Sequence, residues 1–149
     1  MNMNQFTQKS LEAIQAARAL ATEYGNQQIE QPHLLAALVE QEGGFIPQLL
    51  TNMGVTVESL QAAVRKEVSK LPKVSGSGRE ADKVYVSQGV DKALNAAESI
   101  AGGMKDEYVS VEHLLLALLD TAESPLKSLF RTYNIDKDRV MQSLAALRG

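Results

Sequence analysis

Ser110, Glu112 and His113 fall within four consecutive positions, and hydroxyl, carboxylate and imidazole are the groups that acyl-transfer chemistry uses. Their spacing argues for another role. Read as the start of a helix, they become its cap, second and third residues, where serine and glutamate are favoured for capping and for the helix dipole. A single turn supplies no separate carboxylate to orient the histidine, and no G-x-S-x-G elbow is present. Eighty positions earlier stand Glu30, Pro32 and His33, so the histidine is repeated but the hydroxyl is not. No catalytic residue is expected.

His33 and His113 are the only histidines, and no H-x-x-x-H spacing brings two imidazoles together, so no metal site is expected. Each reads as a histidine packed at a helix start with one hydrogen bond. Ser75-Gly76-Ser77-Gly78-Arg79 has the glycines of a phosphate loop. It follows no predicted strand and lacks Gly-Lys-Ser/Thr, so no nucleotide is expected there.

The elements around these residues recur as a set. Ile29-Glu30-Gln31-Pro32-His33-Leu34-Leu35-Ala36-Ala37-Leu38 returns as Val109-Ser110-Val111-Glu112-His113-Leu114-Leu115-Leu116-Ala117-Leu118. Both copies have a β-branched residue before the cap and a leucine five further on, the spacing of a hydrophobic staple. The helix that follows is apolar nearly all round and is predicted to lie buried at the centre of its repeat. Before it, Thr7 caps a first helix whose Leu11, Ile14, Ala17, Leu20 and Ala21 form an apolar stripe, stopped at Gly25. Ser87 opens the equivalent helix, with Ala93, Ala96, Ala97 and Ala101 matching Ala13, Ala16, Ala17 and Ala21, and Gly102-Gly103 is expected to end it slightly early. After the central helices come predicted helices over 45–53, ended by Gly54, and from Ser124-Pro125 as cap and first residue, ended by Asn134. Thr56 and Asp136 then cap the last helix of each half, with Leu60, Val64 and Val68 in one and Val140, Leu144 and Leu147 in the other facing inward.

The offset of eighty holds without a gap from 6–68 to 86–148, and a Pro/Gly/Ser-rich stretch over 71–84 separates the two copies. The chain therefore reads as one all-α domain, a duplicated four-helix repeat of about eight helices with pseudo-two-fold symmetry. Its 149 residues suffice for one core. With no Trp, 5% aromatic residues and a net charge of −3, it offers neither a base-stacking platform nor a basic field, so no nucleic-acid partner is expected. The absence of cysteine excludes disulfides and fits a cytoplasmic location, and no apolar run reaches the ~20 residues of a membrane span. What remains is a binding surface, such as a groove at the seam of the two halves. Val90, Leu94 and Val111 are apolar residues that could line its wall, although periodicity alone favours the core for them.

Phe6-Thr7, the stretch 26–35, Gln41-Glu42-Gly43-Gly44 and Leu71-Pro72-Lys73-Val74-Ser75-Gly76 resemble the Clp amino-terminal domain family, and the similarity covers essentially the whole chain. Gln-Glu-Gly-Gly and the Leu-Pro-x-Val-x-Gly linker look closest to the branch carried by ClpB-type disaggregases. The resemblance implies a domain that engages exposed apolar segments of unfolded or aggregated proteins and passes them to an ATPase pore. Its parent would be a hexamer working with the DnaK system. ATP and magnesium would belong to the parent's ATPase modules, since no Walker motif is present here and this chain itself would hold no cofactor. Alone, the domain is expected to be monomeric. By position the resemblance implies substrate-handling roles for Thr7, Asp106 and Glu112 and for a groove leucine at Leu94. Beside Glu112, a family position that can be leucine is His113, a less apolar wall. The alternative is a docking module like that of ClpC or ClpA, for adaptor proteins or phosphoarginine tags. Its signature survives in Val111-Glu112-His113 but loses the glutamate in Gln31-Pro32-His33.

Overall fold

The computed structural model describes residues 2–74 and 83–148. The Ser75–Arg79 glycine motif and most of the 71–84 separator thus lie outside the described residues. Thr7 caps helix α1 (Gln8–Glu23), its Oγ1 accepting the Ser10 N–H at 3.1 Å, and Ser87 caps α5 (Gln88–Gly103) through the Val90 N–H at 3.2 Å. Both helices end in the same six-residue closure. Asn26 N–H reaches Ala21 O at 2.8 Å around Gly25 (φ 74°), and Asp106 N–H reaches Ala101 O at 2.9 Å around Lys105 (φ 61°). α5 thus ends at Gly103, within the expected pair of glycines, but no earlier than α1, whose last residue Glu23 is the equivalent position. Glycine weakens a helix by about 1 kcal/mol but does not end it unless the chain turns left-handed, and that turn falls on Lys105. On α1 the buried positions are Ser10, Ala13, Ala17, Leu20 and Ala21, with Leu11 and Ile14 at the margin of the core.

α2 (Gln31–Glu40) and α6 (Val111–Thr121) are sealed as expected: Gln31 to Val39 and Val111 to Leu118 are all buried. Ile29 and Leu34, and Val109 and Leu114, complete the two staples inside the core. α3 (Phe45–Asn52) and α4 (Val57–Ser69) follow α2, and α7 (Ser124–Thr132) and α8 (Lys137–Arg148) follow α6. The cap of α7 is Glu123, one residue earlier than expected, which places Pro125 second in the helix, where its missing N–H is still harmless. Asn134 (φ 57°) turns the chain after α7 as Gly54 (φ 82°) does after α3. The Asp136 carboxylate accepts the Arg139 N–H at 2.9 Å to cap α8.

α2 and α6 pack on each other, and the two halves are stitched crosswise. α4 lies on α2 and reaches α7, while α8 lies on α6 and reaches α3. The residues leading into α5 form strand β2 (Tyr85–Val86), parallel to strand β1 (Gln28–Ile29) ahead of α2, with Ile29 opposite Val86. In the mirror position Phe6, leading into α1, bridges Val109 ahead of α6. Gln31 is an extra tie at only one of these seams. Fully buried, it accepts the Glu123 N–H at 2.9 Å and donates to Gly89 O at 3.1 Å and Thr121 O at 3.0 Å. Its counterpart is the apolar Val111.

Candidate functional site

The first turns of α2 and α6 repeat one device. In α6, His113 Nδ1 accepts the N–H of the cap residue Ser110 at 2.9 Å, so the ring proton is on Nε2, which donates to Asp106 Oδ2 at 2.7 Å. In α2, His33 Nδ1 accepts the Glu30 N–H at 2.8 Å and Nε2 donates to Asn26 Oδ1 at 2.8 Å. His33 thus makes two hydrogen bonds and His113 three, where one was expected for each, tying the helix start to the loop before it. The imidazoles lie inside the fold, and burial pushes that of His33 down to about 4. The Ser110 hydroxyl lies 3.1 Å from His113 Nδ1, the nitrogen that also accepts the Ser110 N–H, within the capping turn. Among the described residues no three His, Cys, Asp or Glu side chains gather as a metal site.

The two ends then diverge. Around His33 the matching positions are Asn26, Pro32 and Val68, all uncharged, with Val68 fully buried. Around His113 they are Asp106, Glu112 and Arg148. Arg148, from the last turn of α8, donates to Asp106 Oδ2 at 3.1 Å and to Glu112 Oε2 at 2.7 Å. Burial pushes the Asp106 carboxyl up, but hydrogen bonds from His113 and Arg148 together outweigh it and hold the group below the usual carboxylate range. Hydrogen bonding to Glu112, reinforced by Asp106, raises the Arg148 guanidinium.

Four sequence candidates meet at this end of α6. Asp106, Glu112 and His113 form the network. Thr7 adjoins it, its N–H bonded to Val109 O at 2.9 Å while the neighbouring Ser10 hydroxyl reaches the same carbonyl at 2.9 Å. Val111 is in the same turn but buried. Val90 and Leu94 are elsewhere. Leu94 lies nine residues before Gly103, roughly 14 Å along α5, and both side chains are buried at 3% exposure, so in this conformation they belong to the core and wall no open groove.

Two residues that sequence reasoning passed over complete the site. Tyr108, between Asp106 and Val109, is 51% exposed, and Arg148 closes the acid pair. An aromatic in a polar loop and a basic residue in a last helical turn were the available signals. At the other seam Tyr85 and Val86 are exposed. There Tyr85 borders a largely apolar cavity of about 250 Å³ lined also by Leu71, Pro72 and Val74. The site is thus an acid pair beside an exposed aromatic, without a nucleophile or metal cluster among the described residues.

A duplicated all-helical domain is the class of protein that comparison also finds. The family model of the Clp repeat (R) N-terminal domain matches residues 5–133, and the chain belongs to that family. Chaperone protein ClpB of Clostridium tetani is 36% identical over 149 residues, all of this chain and 17% of that protein. Chaperone protein ClpB of Bacillus anthracis is 37% identical over the same length, again 17% of that protein. The chain therefore spans about a sixth of the length of these relatives. Among solved structures, the Hsp104 N-terminal domain from Candida albicans superposes with a TM-score of 0.82 at 26% identity, covering 97% of this chain and 92% of that one. A complex of the ClpV N-domain with a VipB peptide shares the fold, with a TM-score of 0.69 at 18% identity over 89% of this chain and 81% of that one. No helix among the described residues is long and apolar enough to cross a membrane.

Proposed function

We propose that this chain is the client-engaging N-terminal domain of a ClpB-type ATP-dependent disaggregase. In this reading it holds exposed apolar segments of unfolded or aggregated polypeptides before an ATPase pore takes them up. The observation that carries the proposal is the convergence of Thr7, Asp106, Glu112 and exposed Tyr108 at one end of α6, on a chain that matches ClpB relatives along its whole length. Misfolded clients expose apolar surface, and burying it against an aromatic such as Tyr108 stabilises by about 25 cal/mol per Å². A single such contact is weak. Several tethered copies in a hexameric parent would raise effective concentration and make weak contacts sufficient. ATP hydrolysis, magnesium and cooperation with a DnaK-type system would belong to the rest of that parent, in the cytoplasm. The domain alone would be a monomer without a catalytic residue, and nucleic acid and membranes are not among its proposed partners.

The adaptor or phosphoarginine alternative has less support, because only one of the two equivalent turns carries a glutamate directly before its histidine, and that carboxylate already holds an internal guanidinium. A backbone NMR titration with an unfolded, leucine-rich polypeptide tests the proposal. Shifts concentrated on Thr7, Asp106, Tyr108 and Glu112 are expected. Shifts confined to Val90 and Leu94 would indicate that the core opens into a groove instead. A response to phosphoarginine or an adaptor alone would favour the docking module and overturn the client reading.

A further inference from the structure

The Glu112 side chain is only 11% exposed, and its carboxylate receives its cation from within the chain, at the last residue described for α8. The residues of α8 that are buried are Val140, Ser143 and Leu144, all before the final turn. In the final turn Leu147 packs partly buried against the core, and Arg148 is bonded to both carboxylates. In the other half the position of Arg148 is held by Val68, fully buried on α4, and the positions of the two carboxylates by the uncharged Asn26 and Pro32. The fold thus fills these positions without charge in one half, and the charged version holds Arg148 by contacts that water and salt can loosen. The Arg148 side chain is 36% exposed, so solvent reaches the contact.

We infer that Arg148 is an autoinhibitory latch. It occupies the Asp106–Glu112 carboxylate pair from inside the chain, and a lysine or arginine of a client engages that pair only when the last turn of α8 lets go. The inference rests on the client-engaging role proposed above and adds the client chemistry: an apolar segment with a basic residue beside it. Charge complementarity favours this occupant, because Glu112, once released, is a poorly hydrated carboxylate that needs a cation. If the latch is closed nine-tenths of the time, the apparent Kd for such a client is about tenfold weaker than that of the open site.

The test is the affinity of two fluorescent peptides, one leucine-rich and neutral and one with the same leucines and a single lysine. They are measured against the wild type, Arg148→Met, Arg148→Met/Glu112→Gln and Lys66→Met, the last setting the effect of losing an exposed positive charge elsewhere. Arg148→Met is expected to bind the lysine peptide about tenfold more tightly than both the wild type and Lys66→Met. The double variant is expected to lose that gain. Equal affinity in Arg148→Met and Lys66→Met overturns the latch. The neutral peptide separates the two proposals: if it binds every variant alike the client role stands whatever the latch does, and if it binds none that role fails first. Should Arg148→Met not fold, the Arg148 Nε–H resonance of the wild type decides. It moves toward the position of free arginine as the lysine peptide binds, whereas a resonance unmoved at saturation overturns the proposal.

Discussion

Replacing Gln31 with leucine keeps its volume and removes its polar contacts. The side chain is fully buried where α2 meets the start of α5, the end of α6 and the cap of α7. Two well-formed neutral hydrogen bonds, from Gln31 to Thr121 O and from the Glu123 N–H to Gln31, contribute about 1 kcal/mol each. The Glu123 N–H would also be left inside without an acceptor, at a cost of about 1–3 kcal/mol, while the carbonyls of Gly89 and Thr121 retain second lone pairs for other donors. The added apolar burial of leucine returns about 1 kcal/mol. The expected net loss is about 2–4 kcal/mol, or roughly 4–16 °C in Tm for a chain of this size. Thermal unfolding followed by circular dichroism measures it. Gln31→Glu should lose more, because its carboxylate would face the carbonyls of Gly89 and Thr121. A Gln31→Leu protein melting within 2 °C of the wild type would refute the claim that this residue ties the two halves together.

Further outcomes follow from other contacts. The folded-state pKa of His33 is about 4 against 6.5 for an unperturbed histidine, so the unfolded chain binds the extra proton between those values. Stability should therefore fall as pH drops from 6.5 to 4, by a total of about 3 kcal/mol, and urea titrations of His33→Gln should show a flatter dependence across that window. Lys105 bears a left-handed conformation that glycine bears at its twin position, so Lys105→Gly should stabilise by about 0.5–1 kcal/mol and Gly25→Ala should destabilise by about 1 kcal/mol. Chemical denaturation of both reads the opposite signs directly. A Cβ at Gly89 would come within 2.7 Å of the Glu123 carboxylate, so Gly89→Ala should forfeit the roughly 1 kcal/mol that alanine normally adds in a helix. Glu123→Ala in the same chain should recover part of it, as a double-mutant cycle would show.

The elements were legible in sequence because their signals are local. Thr7, Ser87 and Asp136 cap through bonds to N–H groups three residues on, and the buried runs of α2 and α6 are continuous. Lys105 was the exception: two glycines drew the expected stop forward, whereas the left-handed turn fell on a lysine. The seams were not legible. Phe6 with Val109, Ile29 with Val86 and Gln31 with Glu123 join residues far apart in the chain, and nothing near any of them in sequence names the partner. The site was half legible. Its histidines were marked by their repeated place and its acids by the family resemblance, but Arg148 and Tyr108 acquire meaning only when α8 folds back on the loop ahead of α6. For Val90 and Leu94, helical spacing identifies an apolar face without saying whether protein or water lies against it, and here it is protein.

The crosswise seams make each repeat the lid of the other. Phe6 closes on Val109 and Val86 closes on Ile29, so a repeat carries both a hook and the eye for its neighbour's hook. Such an interface is isologous, and a solitary repeat would satisfy it only by joining a second copy of itself. The duplicated chain is in that sense a symmetric dimer fused end to end, with residues 71–84 as the tether. Cutting the tether should leave two fragments that reassemble on mixing and that, kept apart, pair with their own kind.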